Sequence, residues 1–385
     1  MAHCNTIFHQ MLKLIPRHNF AKLETEHGTG RKARSFTRWS QLVHLLSMQL
    51  TARVSLRDGV SSLKARVKSL YHLGVKPVAR STFADANNQR PASFYEALFG
   101  LMYRRCQPLA PKHKFKFKNK LFSLDATVVS LCLSLYPWAS FRRTKGGIKL
   151  HTLLDHDGYL PAFVAVSPAR EPDIKKARSL GLPKGSIVVE DLGYTDYAWY
   201  AQLSAQKIFF VTRQKRNARF EVLDRHKVNK SQGLLSDQTI RLTGAKPQEC
   251  PMPLRRIAYR DAATGRRYVF LTNHFTLAAK TIADIYKERW QIEIFFRFIK
   301  QNLKIKAFIG NSENAVLTQI YTALIVYLLL CYLKFMCNLS ITLQNCLRIL
   351  QLNLFRICTW QELFEPPEIL ANNMCHPKQL TLALT

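Results

Sequence analysis

Apolar residues recur at helical spacing through the first part of the chain. Trp39, Leu42, Val43, Leu46 and Leu50 share one face of a helix that Thr37 can cap. A second set, Leu56, Val60, Leu63, Val67 and Leu70, follows Ser55 and Asp58, which have the spacing of a capping box. The other face of that helix carries Arg57, Lys64, Arg66 and Lys68. Gly74 and Pro77 break the pattern. Thr82 with Asp85 repeats the box ahead of a short helix, and Pro91 opens another through Phe94, Leu98, Leu101 and Met102. Residues 1–74 are therefore expected to form a helical unit and 75–114 a helical connector. Short basic helices in series fit a DNA-binding helix-turn-helix. They fit a packing or dimerisation unit equally well.

Near residue 115 the period changes. KHKFKFKNKLFSLDATVVSL alternates and is rich in β-formers, and GGIKLHTLL and YLPAFVAVSP read as two further strands around a turn at Asp155–Gly158. Pro172–Leu180 suits a short helix, SIVVED a buried strand, Tyr194–Gln206 a helix and KIFFVT another buried strand. The order β-β-β-α-β-α-β over 115–212 is that of the ribonuclease-H-like fold, an α/β class with a mixed sheet flanked by helices. From 213 to 275 the pattern is purely β, through FEVLDR, QTIRLT, LRRIAYRD and RRYVFLTN, which predicts an all-β insertion. The core resumes over 276–312 with a helix running from Leu277 past Lys300, and 313–385 closes the chain as a helical region. Within it, 315–337 approaches the length and apolarity of a membrane span. Thr318, Gln319 and Thr322 interrupt it and it has no companion, so the expectation is a buried core helix in a soluble, cytoplasmic protein without a membrane partner.

Charge narrows the partner. There are 57 Lys+Arg against 25 Asp+Glu, a formal net charge of +32, which favours a polyanion and salt-dependent binding. Nucleic acid leads, with an anionic membrane surface as the alternative. Basic residues concentrate at Arg31–Arg34, Lys112–Lys120, Arg142–Lys149 and Arg213–Arg219. Arg213, Lys215 and Arg216 are the candidate DNA contacts in the last run. Nine scattered cysteines without a C-x-x-C pair suit reduced thiols and exclude a zinc-finger framework; Cys375-His376 is a lone pair.

Three acids stand out by placement. Asp125 lies mid-strand in FSLDATVV, and Asp191 ends SIVVED. A carboxylate near a core strand needs a compensating partner. A divalent cation would serve, and neighbouring first and fourth strands would bring the two together. A buried salt bridge for Asp125 and a helix N-cap for Asp191 serve as well. In YKERWQIEIFFRFIK, Tyr286, Arg289, Glu293 and Lys300 fall within an arc of about 60° at 100° per residue, with Phe295, Phe298 and Ile299 on the other side. Glu288 lies off this stripe. Trp290 reads as core.

The spacing Y-x2-R-x3-E-x6-K resembles the signature of a large group of bacterial insertion-sequence transposases, insertion-sequence family four, at Tyr286, Arg289, Glu293 and Lys300. SLDATVVSL resembles that group's first-aspartate strand and DLGY at 191–194 its second-aspartate motif. The segment around His18-Asn19-Phe20 resembles an uncharacterised helical domain found ahead of such catalytic domains. The resemblance implies a metal-dependent DDE transposase, with Asp125, Asp191 and Glu293 holding two Mg²⁺ or Mn²⁺ ions. It implies that Tyr286, Arg289 and Lys300 contact phosphates at the transposon end, and that a homodimer holds both terminal inverted repeats for cut-and-paste transfer into target DNA. Lys149 and His151 share one strand face, which can reach DNA or simply be an ordinary strand face. Related enzymes pass through a hairpin and stack a flipped base on an aromatic, sometimes a tryptophan of the insertion. Here 213–275 holds no tryptophan and offers Phe220, Tyr259 and Tyr268. A ribonuclease-H-like nuclease without strand transfer and an inactive transposase-derived DNA-binding protein are the other readings.

Overall fold

A computed structural model describes residues 5–28, 33, 35–142, 145–244, 249–305 and 307–364. The charged residues of the Arg31–Arg34 run, Arg143 and Cys375-His376 lie outside these.

Among the described residues, seven helices precede the sheet: α1 (Ile7–Lys13), α2 (Arg17–Glu26), α3 (Arg38–Leu50), α4 (Leu56–Lys64), α5 (Val67–His72), α6 (Arg80–Gln89) and α7 (Ser93–Cys106). Two caps form as the sequence suggests. Thr37 Oγ1 accepts from Ser40 N at 3.1 Å and Ser55 Oγ from Asp58 N at 3.1 Å. The helix expected from Leu56 through Leu70 is divided at Ala65–Arg66, with Leu63 and Leu70 buried on either side of the break. The box at Thr82 does not form. Instead α6 begins three residues earlier, capped at Ala79 without a side-chain hydrogen bond, and buries Phe83, Ala86 and Asn87 at helical spacing.

Among the described residues the sheet has ten strands: β1 (Leu121–Leu131), β2 (Ser140–Arg142), β3 (Lys145–Asp155), β4 (Leu160–Pro168), β5 (Ile187–Glu190), β6 (Phe209–Arg213), β7 (Phe220–His226), β8 (Leu234–Leu242), β9 (Leu254–Arg260) and β10 (Arg267–Thr272). β1 begins later than its alternating pattern. Residues 112–120 are not strand, because both neighbours of β1 start pairing only at Leu121 and Phe122. Phe115 and Phe117 stack on one another there instead, with ring centroids 5.2 Å apart. β4, β3 and β1 run antiparallel in that spatial order, then β1, β5 and β6 run parallel. This is the ribonuclease-H-like arrangement, with the first and fourth core strands side by side. The insertion is no separate sheet. β10 pairs antiparallel with β6, so β10, β9, β8 and β7 continue the same sheet outward.

The remaining helices are α8 (Asp173–Ala177), α9 (Tyr197–Ala205), α10 (Ala279–Glu288), α11 (Trp290–Gln301), α12 (Glu313–Met336), α13 (Leu343–Asn353) and α14 (Trp360–Phe364). One sheet face packs α9 through Phe122, Leu124, Val188 and Phe210 against Trp199, Tyr200 and Leu203. On the other, Leu121, Ile187, Val189 and Val211 meet α10, while Val129, Leu131, Leu150 and Leu154 join the cluster of α11 and α12. The apolar segment at 315–337 is core. α12 packs against α3, α6, α7 and α13, and Leu328, Leu329 and Leu330 have no exposed surface. Burying each such leucine is worth roughly 1.5–3 kcal/mol. The N-terminal helices share this cluster with α12.

Candidate active site

Strand register brings the acids together. Leu124 on β1 is level with Glu190 on the parallel β5, so the next residue on each strand, Asp125 and Asp191, meets at the carboxyl end of the pair. Val189 is level with Val211 on β6, which carries Arg213 to the level of Asp191 on the same face. Carboxyl ends of parallel strands are where sheets of this kind place ligands. Asp125 alternates with Ser123 and Thr127, on the face that α10 and α11 cover.

The covering helix is not continuous. Arg289 interrupts it, with shortened i−3 bonds from Arg289 N to Tyr286 O at 3.2 Å and from Ile292 N to Arg289 O at 3.1 Å. The stripe nevertheless converges. Arg289 Nη1 lies 3.1 Å from Asp125 Oδ2, and Arg289 Nη2 lies 2.8 Å from Glu293 Oε1. Arg213 Nη2 is 2.8 Å from Asp191 Oδ1, and the Tyr286 hydroxyl donates to the same oxygen at 3.3 Å. Lys300, two turns along α11, donates to Thr127 Oγ1 and to Val128 O. Tyr286, Arg289 and Glu293 thus meet Asp125, Asp191 and Arg213 in one cluster, and Lys300 holds the next residues of β1.

Charge within the cleft is finely divided. Burial pushes the Asp125 carboxyl up to about 6; the Ala126 N–H and Arg289 oppose this, while Asp191 and Glu293 add repulsion. Asp191 is also desolvated, yet the Leu192 N–H, Arg213 and Arg289 hold it below the usual carboxylate range. Three hard oxygen donors fit Mg²⁺ or Mn²⁺ in kind. As they stand, no group of three His, Cys, Asp or Glu side chains among the described residues is close enough to share an ion. The guanidinium of Arg289 lies between Asp125 and Glu293 and serves as their cation. The residues fit a divalent pair chemically, provided Arg289 yields its place.

Other candidates lie elsewhere. Lys149 and His151 do share a face, but it is the face opposite Asp125, since Lys149 pairs with Val128 and His151 with Ala126. Asp173 at the start of α8 takes Lys149 Nζ at 2.9 Å and approaches His151 Nδ1 at 3.6 Å. His151 is only 1% exposed, with Nε2 2.8 Å from Ser167 Oγ. The structure does not bring these two to the carboxylates. Glu288, off the stripe, is buried against Lys114 and the Tyr159 hydroxyl. Arg216 lines a shallow basic cleft with Arg213, Arg266, Arg267 and Tyr268. Lys215 opens onto another cleft, of mixed charge, which Arg178 and Arg219 line with Asp196 and Glu249.

Trp290 corrects the sequence reading. It is 50% exposed rather than core, and with Tyr259, Tyr268, Phe270 and Tyr286 it walls a pocket that reaches Arg289 and Arg213. Phe220 lies away from this pocket, with the Arg256 guanidinium 4.8 Å above its ring. The pairing of Arg213 with Asp191 was not legible beforehand, because it depends on parallel register across β5 and β6.

Residues 116–329 match the family model described as "Transposase DDE domain". The chain belongs to the DDE transposase family. Residues 3–76 of this transposase match a domain of unknown function, DUF4372. It is 34% identical over 251 residues to "Putative transposase y4zB" of Sinorhizobium fredii, across 64% of this chain and 69% of the relative. It is 29% identical over 333 residues to "Probable transposase for insertion sequence element IS5377" of Geobacillus stearothermophilus, across 85% of each. It is 27% identical over 305 residues to "Putative transposase for insertion sequence element IS4SA" of Synechocystis, across 77% of this chain and 83% of the relative. The transposase is thus of the insertion-sequence type, as the helix signature indicates.

Proposed function

We propose that this transposase binds the terminal inverted repeats of its element and cuts and rejoins DNA there, with Asp125, Asp191 and Glu293 holding two Mg²⁺ or Mn²⁺ ions. The observation that carries the reading is the meeting of Asp125 from β1 and Glu293 from α11 on the Arg289 guanidinium, with Asp191 at the end of β5 beside them on Arg213. When bound, such ions activate the attacking oxygen and stabilise the leaving oxygen of one phosphodiester. The protein's own residues prepare for this. Asp125, desolvated and crowded by like charge, is the carboxylate most relieved by a cation. Arg289 turns from the carboxylates to the phosphate beside the cut, which it can grip bidentately. Tyr286 and Lys300 flank that phosphate from the same stripe. Arg213 and Arg216, with Arg266 and Arg267, follow the DNA backbone beyond Asp191, and Lys215 extends the track. Lys149 and His151 support the sheet's other face.

A hairpin intermediate requires an extruded base, and stacking needs only an aromatic face. We assign that base to the pocket of Tyr259, Tyr268 and Trp290. A homodimer would hold both ends for transfer into target DNA.

The test uses labelled duplexes carrying the element's ends, with Mg²⁺ and a target plasmid, resolved on denaturing gels. Wild-type protein should nick, form hairpins and join pre-cut ends, and Tyr268→Ala or Trp290→Ala should lose hairpins while keeping nicks. Failure to join pre-cut ends would make the protein a nuclease without strand transfer. Binding without nicking would make it an inactive derivative.

A further inference from the structure

The N-terminal region matches a domain with no assigned function, and its surface is not evenly charged. Between Arg53 and Arg80 the chain carries Arg53, Arg57, Lys64, Arg66, Lys68, Lys76 and Arg80 against a single acid, Asp58. All seven cations are exposed. Among the described residues, no carboxylate lies within ion-pairing distance of any of them.

Packing explains why Arg57, Lys64 and Lys68 face outward. On α4, Gly59 and Leu63 are buried, and a side chain at Gly59 would run into the Met48 side chain of α3. That close approach seats α4 with Arg57, Ser61 and Lys64 on its outer stripe. On α5, Leu70 is buried, so Lys68, Tyr71 and His72 face out. Arg66, at the junction, lies with its guanidinium 4.5 Å from the Phe355 ring, which ties the junction to the chain beyond α13. Tyr71 is 83% exposed, with the His72 ring nearly perpendicular to it at a centroid distance of 5.6 Å. Val54 and Val67 are the other exposed apolar side chains of the patch.

We infer that the α4–α5 face is a second DNA-contacting surface, which grips a duplex independently of the catalytic cleft. The charge pattern decides the occupant. A second copy docked through this face would set Arg57, Lys64 and Lys68 against the same three cations of its neighbour. A polyanion is favoured by each of them, and duplex DNA is the polyanion on which a transposase acts. Lys and Arg would neutralise phosphates, while Tyr71 and Val67 supply apolar contact to sugar or to a thymine methyl in a groove. The surface gives the domain of unknown function a task, holding DNA, and that task does not depend on which carboxylates cut.

The experiment uses the full chain in EDTA, so that no strand is cut, and a fluorescein-labelled duplex of random sequence titrated across a range of salt. Each phosphate contact contributes about 0.9 to the slope of log K against log salt. The triple variant Arg57→Gln/Lys64→Gln/Lys68→Gln should therefore lower the slope by nearly 3 and weaken binding by roughly 10²–10³-fold at about 0.1 M salt. Tyr71→Ala should weaken binding with the slope unchanged. Hydrogen exchange of the wild-type chain should show α4–α5 amides protected by the duplex, a readout that needs no variant. Unchanged slope and affinity in the triple variant, or no protection of α4–α5, overturns the inference. So does binding to phosphatidylserine vesicles that matches the duplex in affinity and in its loss on the triple substitution.

Discussion

Replacing Arg289 by glutamine removes the guanidinium shared by Asp125 and Glu293, at 3.1 and 2.8 Å. This leaves Asp125 and Glu293 without their shared cation, with Asp191 close enough to add to the repulsion felt by Asp125. Breaking a buried pair from one side costs about 3–5 kcal/mol, and each charge-assisted bond is worth about 1.5–3. Glu293 is about one-third exposed, and water screens its share. A loss of roughly 2–4 kcal/mol follows, a fall in melting temperature on the order of 5 °C for a chain of this size. The diagnostic is its reversal. If the guanidinium stands in for the catalytic cations, Mg²⁺ or Mn²⁺ should restore the variant, by about 2.7 kcal/mol at a hundred times the dissociation constant. Wild-type protein should gain much less, because there the metal must first displace Arg289. Thermal unfolding in EDTA and in rising MgCl₂, with NaCl at matched ionic strength, reads both. A variant as stable as wild type, or one that magnesium leaves as unstable as EDTA does, would refute the reasoning.

Two further outcomes concern the frame of the site. His156 is buried with Nε2 2.7 Å from Ser123 Oγ, and burial lowers its pKa to about 4, against weaker raising by Glu288. The unfolded chain takes up the proton first, so stability is full above about pH 6.5 and declines as pH falls towards 4, by about 3 kcal/mol in all; urea midpoints against pH should lose this slope in His156→Asn. Gly158 has φ +68°, and an added Cβ would meet Phe335 Cζ at 2.8 Å and Ala110 Cβ at 2.9 Å. Gly158→Ala should therefore cost about 2–4 kcal/mol through backbone strain and overpacking, read as a lower urea midpoint with an unchanged slope.

The legible features were those set by local pattern. Thr37 and Ser55 cap helices where their spacing says they should, because a cap needs only the next three residues. The turn at Asp155–Gly158 and the core strands follow from alternation and turn chemistry. Glu293, Arg289, Tyr286 and Lys300 were found by helical period, which survives the break at Arg289 because that residue keeps right-handed helical dihedrals. What escaped notice depends on distant partners. The lysine-rich alternation at 112–120 has strand composition but no neighbour to pair with. Lys149 and His151 were visible as a pair on one face, but which face required the register with β1. Trp290 reads as core by composition and is exposed because the insertion leaves an open pocket at the helix start. The joining of that insertion to β6, which sets Arg213 beside Asp191, is a long-range pairing that no local pattern carries.

The most direct test of the account is strand cleavage of a labelled transposon-end duplex by Asp125→Asn, Asp191→Asn and Glu293→Gln, beside Glu288→Gln as the contrast. The first three should lose Mg²⁺-dependent nicking to background while binding the duplex in EDTA as wild type does. Glu288→Gln should still nick, since Glu288 is turned to Lys114 and Tyr159. Wild-type nicking by any of the first three variants would remove that residue from the triad and contradict the central claim.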